Sequence, residues 1–247
     1  DPAPTIRARW FGADGAASSD ELVLDAEGPE LGAEPAVTAH PDGGFIAAWV
    51  AGNEIHSRAV DATGTIATAD TVVATSATPP DQIDVAVAPD AAVVVYLWSA
   101  FEQPLRGLAI HTRRGSSDIE IDSPIFEHFP CETAAYRCAL ERPSIAVTPD
   151  GDLVATWFAF VERFGRGVIF PVSSAIEWRA IDVDGAGPVL SYATGFTDQR
   201  QGPAVAFDSA DRGLLVWESD VAFEPRTLVG QPIAEPLFTD GFGSGDL

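Results

Sequence analysis

Aromatic and arginine side chains are concentrated in the segments where this chain departs from its own repeat pattern. That combination is typical of interaction surfaces. The segments are 99–105, 124–142, 158–175 and 219–226, and a protein or a glycan at a cell surface is the expected partner. The candidate binding residues are Phe101, Phe126, His128, Phe129, Tyr136, Phe158, Phe160, Phe164, Arg163 and Arg166. The alternative is that these aromatic side chains only fasten long loops to the underlying domain.

Evidence for catalysis is weaker in the sequence. No serine nucleophile elbow, zinc-protease motif or phosphate-binding loop appears, and the four histidines occupy unrelated positions. A glycosidase needs two carboxylates that face each other, and the 37 acidic residues include no pair that the sequence singles out. We therefore expect a non-enzymatic interaction or adhesion module, with a carbohydrate-active enzyme or lectin as an alternative.

Asp182-x-Asp184-Gly185 offers hard oxygen ligands on a predicted loop, which makes it a candidate calcium site. The remaining positions of an EF-hand loop are missing, so a plain turn is the favoured interpretation, and no cofactor is expected.

Cys131 and Cys138 lie close together in an irregular stretch. A disulfide between them would contribute about 2.5 kcal/mol by restricting the unfolded chain. It also predicts an oxidising compartment, and hence a secreted or cell-surface protein. The alternative is a metal site that adds His128 to the two thiolates, but this set lacks a fourth ligand.

The charge excludes two classes of partner. The chain has 37 acidic residues and 14 arginines, with no lysine, for a net charge of −23. Such a charge repels nucleic acid and anionic lipid surfaces. No run of about 20 apolar residues occurs, so we expect no membrane insertion.

The scaffold that positions the candidate residues is a repeated motif. It consists of two apolar strands joined by an Asp-containing turn, with Trp at the end of the second strand. It occurs four times, and its tryptophans are Trp49, Trp98, Trp157 and Trp217. Self-similarity at a period of roughly 50–60 residues indicates a propeller or a solenoid. We therefore predict an all-β fold, a single β-propeller domain over 1–247, with repeats at about 35–75, 82–122, 143–193 and 203–233. Large side chains at equivalent places in a repeat usually form the core between sheets, so a scaffold role is expected for these tryptophans.

The two ends of the chain decide how the propeller closes. Residues 5–25 carry the third and fourth strand pattern, so we expect them to complete the blade begun by 203–218, leaving 234–247 as a tail. In the competing arrangement 227–233 is the third strand and 5–25 are surplus. The chain would then be a piece of a larger array, or a subunit of an extracellular polymer that self-associates through terminal strands.

The motif P-x-V/I-A-x-x-P-D-G, an apolar strand, Trp and then I-x-x-R-x-apolar-D-x-x-G resembles the propeller-type repeats of secreted and cell-surface bacterial proteins. These repeats are related loosely to sialidase-like propellers. The resemblance covers about residues 5–233 and implies a fold rather than an activity. The sialidase Asp-box is not matched, because Thr148-Pro-Asp150-Gly-Asp152-Leu has a different order, so no catalytic arginines are carried over.

Overall fold

The computed structural model describes residues 5–12, 14–17, 19–25, 35–88, 94–102, 107–114, 117–121, 131, 135–165, 168–182, 185–186, 189–193, 202–210, 212–219 and 227–233. Every regular element in these ranges is a strand. The strands are β1 (Arg7–Ala8), β2 (Leu22–Val23), β3 (Ala36–Ala39), β4 (Phe45–Ala51), β5 (Glu54–Val60), β6 (Thr71–Thr75), β7 (Pro80–Val87), β8 (Val94–Glu102), β9 (Gly107–Arg114), β10 (Ser117–Ile121), β11 (Tyr136–Val147), β12 (Leu153–Gly165), β13 (Val168–Asp182), β14 (Gly185–Ala186), β15 (Leu190–Ala193), β16 (Ala204–Phe207), β17 (Gly213–Ser219) and β18 (Thr227–Ile233).

The strands form antiparallel sheets whose members mostly follow their order along the chain. β3–β6 and β7–β10 form four-stranded sheets, β11–β14 form a third sheet in which β15 also pairs with β13, and β16–β18 form a fourth. β1 and β2 pair with each other. The first strands of successive sheets are in contact, β3 with β7, β7 with β11 and β11 with β16. Consecutive up-and-down sheets packed side by side are the arrangement of propeller blades, so the described chain has an all-β, propeller-like fold.

The predicted closure is not present in the described residues. β18 pairs with β17 along its whole length, from Ser219↔Thr227 to Gly213↔Ile233, so 227–233 supply the third strand of the last sheet. β1 and β2 form a separate sheet. The sequence offered both arrangements. The one observed pairs strands that are close in the chain, which have the smaller loop-closure entropy.

Parts of three of the predicted long loops are extensions of strands. The segment 158–175 was expected to be a loop, but β12 and β13 pair from Leu153↔Ile181 out to Gly165↔Val168. Residues 136–142, also expected in a loop, belong to β11, and 99–102 belong to β8. The reason is local, because aromatic and β-branched residues continue on both sides of the hairpin and favour paired strands. Residues 103–106, 122–130, 132–134 and 220–226 lie outside the described residues.

The core lies between successive sheets. All four repeat tryptophans are buried, as predicted; their exposed fractions are 0% for Trp49, 4% for Trp98, 0% for Trp157 and 3% for Trp217. The Asp-containing turns are also structural. Asp208 accepts hydrogen bonds from the backbone N–H groups of Ala210 and Arg212, which closes the turn between β16 and β17.

Candidate functional site

The two cysteines form the predicted disulfide. Cys131 and Cys138 are bonded, with their Cα atoms 5.6 Å apart. Both are buried and pack with Val161 of β12, and Tyr136 and Val172 lie against this cluster. The disulfide therefore ties the segment before β11 to β11 itself, and the bond packs against the outer part of the β12–β13 hairpin.

The other predicted binding residues do not share one surface. Phe158 and Phe160 are buried, at 3% and 2% exposure, because they lie on the face of β12 that packs against Val205, Leu215 and Trp217 of the last sheet. These two residues are therefore not on an exposed binding face, contrary to the prediction. Tyr136 is half-buried beside the disulfide.

Part of the prediction concerns the end of the β12–β13 hairpin. Arg163 is exposed there, and so is Phe164, at 40%. Phe101 lies in β8. Phe126, His128, Phe129 and Arg166 lie outside the described residues, as does Asp184 of the calcium candidate. Asp182 ends β13 and pairs with Gly185. In the described ranges no group of three or more His, Cys, Asp or Glu residues is placed to hold a metal ion.

A cluster of charged residues lies on adjacent strands β11 and β12. Arg137 is paired with Glu162 across the two strands, and its guanidinium binds Glu162 Oε2 at 3.3 Å and Glu141 Oε1 at 3.1 Å. The same guanidinium lies 5.1 Å from the centroid of the Phe160 ring, a distance typical of a cation–π contact. The guanidinium of Arg137 therefore contacts two carboxylates and one aromatic ring.

Strand geometry explains this cluster. Successive side chains of a strand point to opposite faces, so Arg137 and Glu141 share a face of β11 with Glu162 and Phe160 of β12. The register of β11 shifts between Glu141 and Ser144, which places Glu141 at the irregularity. Arg137 thus brings the carboxylates of Glu141 and Glu162 to one guanidinium, a charge-assisted arrangement that fixes the position of both.

The carboxyl of Glu141 has a shifted pKa. Burial raises this pKa above the ordinary value of 4.5, Arg137 opposes the rise, and the negative charge of Asp81 adds to it. Asp81 is exposed at the start of β7, where the register shifts between Pro80 and Gln82. The site thus combines a partly buried carboxyl of raised pKa with an exposed carboxyl, and two carboxyl groups in unlike environments are common in acid–base pairs.

The backbone beside Glu141 is unusual. Arg142 has φ of 55°, a conformation that non-glycine residues rarely adopt. Its N–H donates to Gln82 Oε1, which holds β11 against β7. A side chain at Gly202 would meet Arg142 Cβ at 2.5 Å, so the start of β16 also lies against this point.

A buried hydroxyl lies next to Gln82. Ser99 is paired with Gln82 across β7 and β8, has 0% exposure, and its Oγ has no hydrogen-bond partner among the described residues. Side chains of directly paired residues project to the same face, so this hydroxyl lies on the side of β8 that faces β11.

Sequence reasoning missed most of this cluster. The sequence placed Arg137 on the predicted binding face, within the segment 124–142, and did not single out Glu141, Glu162 or Asp81. The available signal was the alternating pattern from Tyr136 onward, which continues strand periodicity into the segment assigned as loop. The pairing with Glu162 depends on the register of β12 and is not visible in one sequence.

No protein-family model matches the chain, and no curated protein matches it. Solved structures with a similar course of the chain include a thermostable family-43 glycoside hydrolase, with 10% identity over 82% of this chain and 72% of that chain and a TM-score of 0.48. The α-L-arabinanase of Penicillium chrysogenum complexed with arabinobiose has 12% identity over 92% of this chain and 73% of that chain, with a TM-score of 0.49. A protein of unknown function from Dyadobacter fermentans has 11% identity over 94% and 84%, with a TM-score of 0.42.

Proposed function

We propose that the chain is a carbohydrate-active protein that hydrolyses glycosidic bonds at the Glu141 cluster. One observation carries the proposal: Glu141 is a half-buried carboxyl whose pKa is raised by burial, next to the exposed carboxylate Asp81. The fold similarities have TM-scores below 0.5 and carry no part of it. No helix in the described ranges is long and apolar enough to cross a membrane, and the disulfide is consistent with an extracellular protein.

Each group has a defined role in this reaction. Glu141 in its acid form donates a proton to the glycosidic oxygen as the bond from that oxygen to the anomeric carbon breaks. Asp81 in its anionic form accepts a proton from the water that adds to the anomeric carbon. Glu162 is buried and bound to Arg137, so it positions Arg137 and does not contact substrate. Arg137 in turn fixes the Glu141 carboxyl.

The test is release of reducing ends from a panel of neutral and acidic polysaccharides. We expect hydrolysis of at least one, reduced about 10²- to 10⁴-fold in Glu141→Gln and in Asp81→Asn. Asp42→Asn is the matched control, because this aspartate is 85% exposed in the turn before β4, away from the cluster. Failure to cleave any member of the panel would reject hydrolysis, and binding without cleavage would indicate a lectin.

A second candidate function is supported by the end of the β12–β13 hairpin. Phe164, Ile169 and Phe170 are 40%, 52% and 51% exposed, and neighbouring exposed aromatic residues are typical of protein-binding sites. This retains the interaction module expected from the sequence at a smaller site. The triple substitution of these residues by Ser would abolish capture of a surface partner and leave hydrolysis at Glu141 unchanged.

A further inference from the structure

One position of the repeat is buried in three sheets and exposed in the first. In the second strand of each sheet, the residue two places before the repeat tryptophan pairs with a residue of the first strand. That partner is Val37 in β3, Val85 in β7, Ile145 in β11 and Val205 in β16. Val85, Ile145 and Val205 are 3%, 7% and 8% exposed, whereas Val37 is 66% exposed. In the three later sheets this side chain packs against the preceding sheet, whereas none of the described residues covers Val37 in this way.

The last sheet also has an exposed apolar residue, on the face opposite to that of Val205. The residue three before the repeat tryptophan is Ile46 in the first sheet, Val154 in the third and Leu214 in the last. Ile46 and Val154 are 6% and 0% exposed, but Leu214 is 48% exposed. The same face of the last sheet carries a mainly apolar set of residues, namely Ala204, Ala206, Leu214, Val216, Leu228 and Pro232.

The described part of the same chain does not cover either surface. β1 and β2 pack on the first sheet over Phe45 and Trp49 and leave Val37 exposed. Residues 5–25 would have to pair with the edge of β17 to complete the last sheet, but that edge is paired with β18. Among the described strands, β3 and β16 make no extensive contact. Within the described ranges, the array of sheets therefore has two uncovered ends.

The exposed face of the last sheet and the exposed inner strand of the first sheet match each other. Wherever two successive sheets pack together, the face equivalent to that of Leu214 in one sheet lies against the residue equivalent to Val37 in the next sheet. We propose that the outer face of the last sheet in one molecule packs on the inner strand of the first sheet in a second copy, giving head-to-tail association. Such an interface uses different surfaces on the two partners, so it forms rings or filaments rather than a symmetric pair.

Charge sets the conditions for this association. Glu218 is the charged residue among the described side chains of the outer face, and each copy carries a net charge of −23. The contact is apolar while the long-range force between copies is repulsive, and salt screens that repulsion. Association is therefore expected to strengthen between low and moderate NaCl.

Cysteine cross-linking tests the proposal, because Cys131 and Cys138 are already bonded. A mixture of Val37→Cys and Leu214→Cys proteins should give a mixed disulfide dimer under mild oxidation. Val72→Cys replaces Val37→Cys in the control, since Val72 is 47% exposed on the outermost strand of the same sheet. A cross-link within single molecules of a Val37→Cys/Leu214→Cys protein at high dilution would overturn the proposal in favour of closure within one chain.

The association itself is measured by light scattering over a concentration series. Leu214→Asp should weaken self-association about tenfold or more, because it buries a charge in an apolar contact. Val72→Asp is the matched control, since Val72 is 47% exposed on β6, the outermost strand of the first sheet. A protein that stays monomeric at every concentration and salt level, or equal effects of the two substitutions, would overturn the proposal.

Discussion

Trp157 donates its indole Nε1 hydrogen to Glu177 Oε2 at 2.8 Å, and both side chains are completely buried. They are directly paired across β12 and β13. Trp49 has the equivalent place in the first sheet and is equally buried, but its Nε1 has no hydrogen-bond partner among the described residues. Its ring instead stacks on His56, with the ring centroids 5.9 Å apart. The same scaffold residue therefore donates a hydrogen bond to its cross-strand partner in one sheet and stacks on that partner in the other.

This difference predicts unequal costs for the same substitution. Trp157→Phe and Trp49→Phe remove a similar volume, but only the first removes a donor from a buried carboxylate. We expect Trp157→Phe to lower the free energy of unfolding by about 1–3 kcal/mol more than Trp49→Phe. Urea unfolding followed by circular dichroism measures both, and equal losses would show that the Trp157–Glu177 hydrogen bond adds no stability.

The disulfide gives a second prediction. Replacing Cys131 and Cys138 together by Ala should lower the free energy of unfolding by about 2.5 kcal/mol, since it frees a short loop in the unfolded chain. Reducing agent should cause a similar loss in the natural protein and none in the double variant. An unchanged unfolding midpoint on reduction would mean that packing around Val161 and Val172 holds this segment without the bond.

The sequence predicted the all-β fold and the burial of Trp49, Trp98, Trp157 and Trp217 because both follow from local pattern: alternating apolar residues, and turns with Pro, Asp and Gly. It missed the extent of the β12–β13 hairpin because the length of a hairpin depends on pairing as well as pattern. Phe158 and Phe160 illustrate this limit, since an aromatic residue reads equally well as a surface anchor or as core. The pairing of Arg137 with Glu162 required the register between two strands, which composition and spacing do not specify.

Asp84 predicts a pH dependence of stability. Burial raises the pKa of its carboxyl above 3.8, partly offset by hydrogen bonds from the backbone N–H groups of Ile145 and Val85. A raised pKa in the folded state means that this group's contribution to stability is fully present below about pH 3.8 and is lost as pH rises through the folded-state pKa.

The test compares the natural protein with Asp84→Asn by urea unfolding between pH 3 and 7. The variant lacks the Asp84 carboxylate at every pH, and this changes its free energy of unfolding by an amount that does not depend on pH. The stability of the natural protein relative to the variant should fall as pH rises. A relative stability that is constant or increases with pH would contradict the assignment.

The last prediction concerns the proton affinity of Glu141, which the proposed hydrolysis requires to be high. Arg137 lowers the pKa of Glu141 and Asp81 raises it. Arg137→Gln should therefore move this pKa upward, and Asp81→Asn should move it downward. The side-chain carboxyl ¹³C shift of Glu141, followed by NMR over a pH series, measures both without any substrate. Arg163→Gln is the control, because Arg163 is an exposed neighbour on the other face of β12.

The same shifts have a kinetic consequence if Glu141 is the general acid. Hydrolysis should decline as pH rises through the pKa of Glu141, because the protonated form is then lost. The alkaline limb of the rate profile should follow the NMR value and move to higher pH in Arg137→Gln. A limb that stays in place while the NMR pKa moves would assign the proton donor to another residue. A Glu141 pKa at or below 4.5 in the natural protein would remove the physical basis of the proposed role.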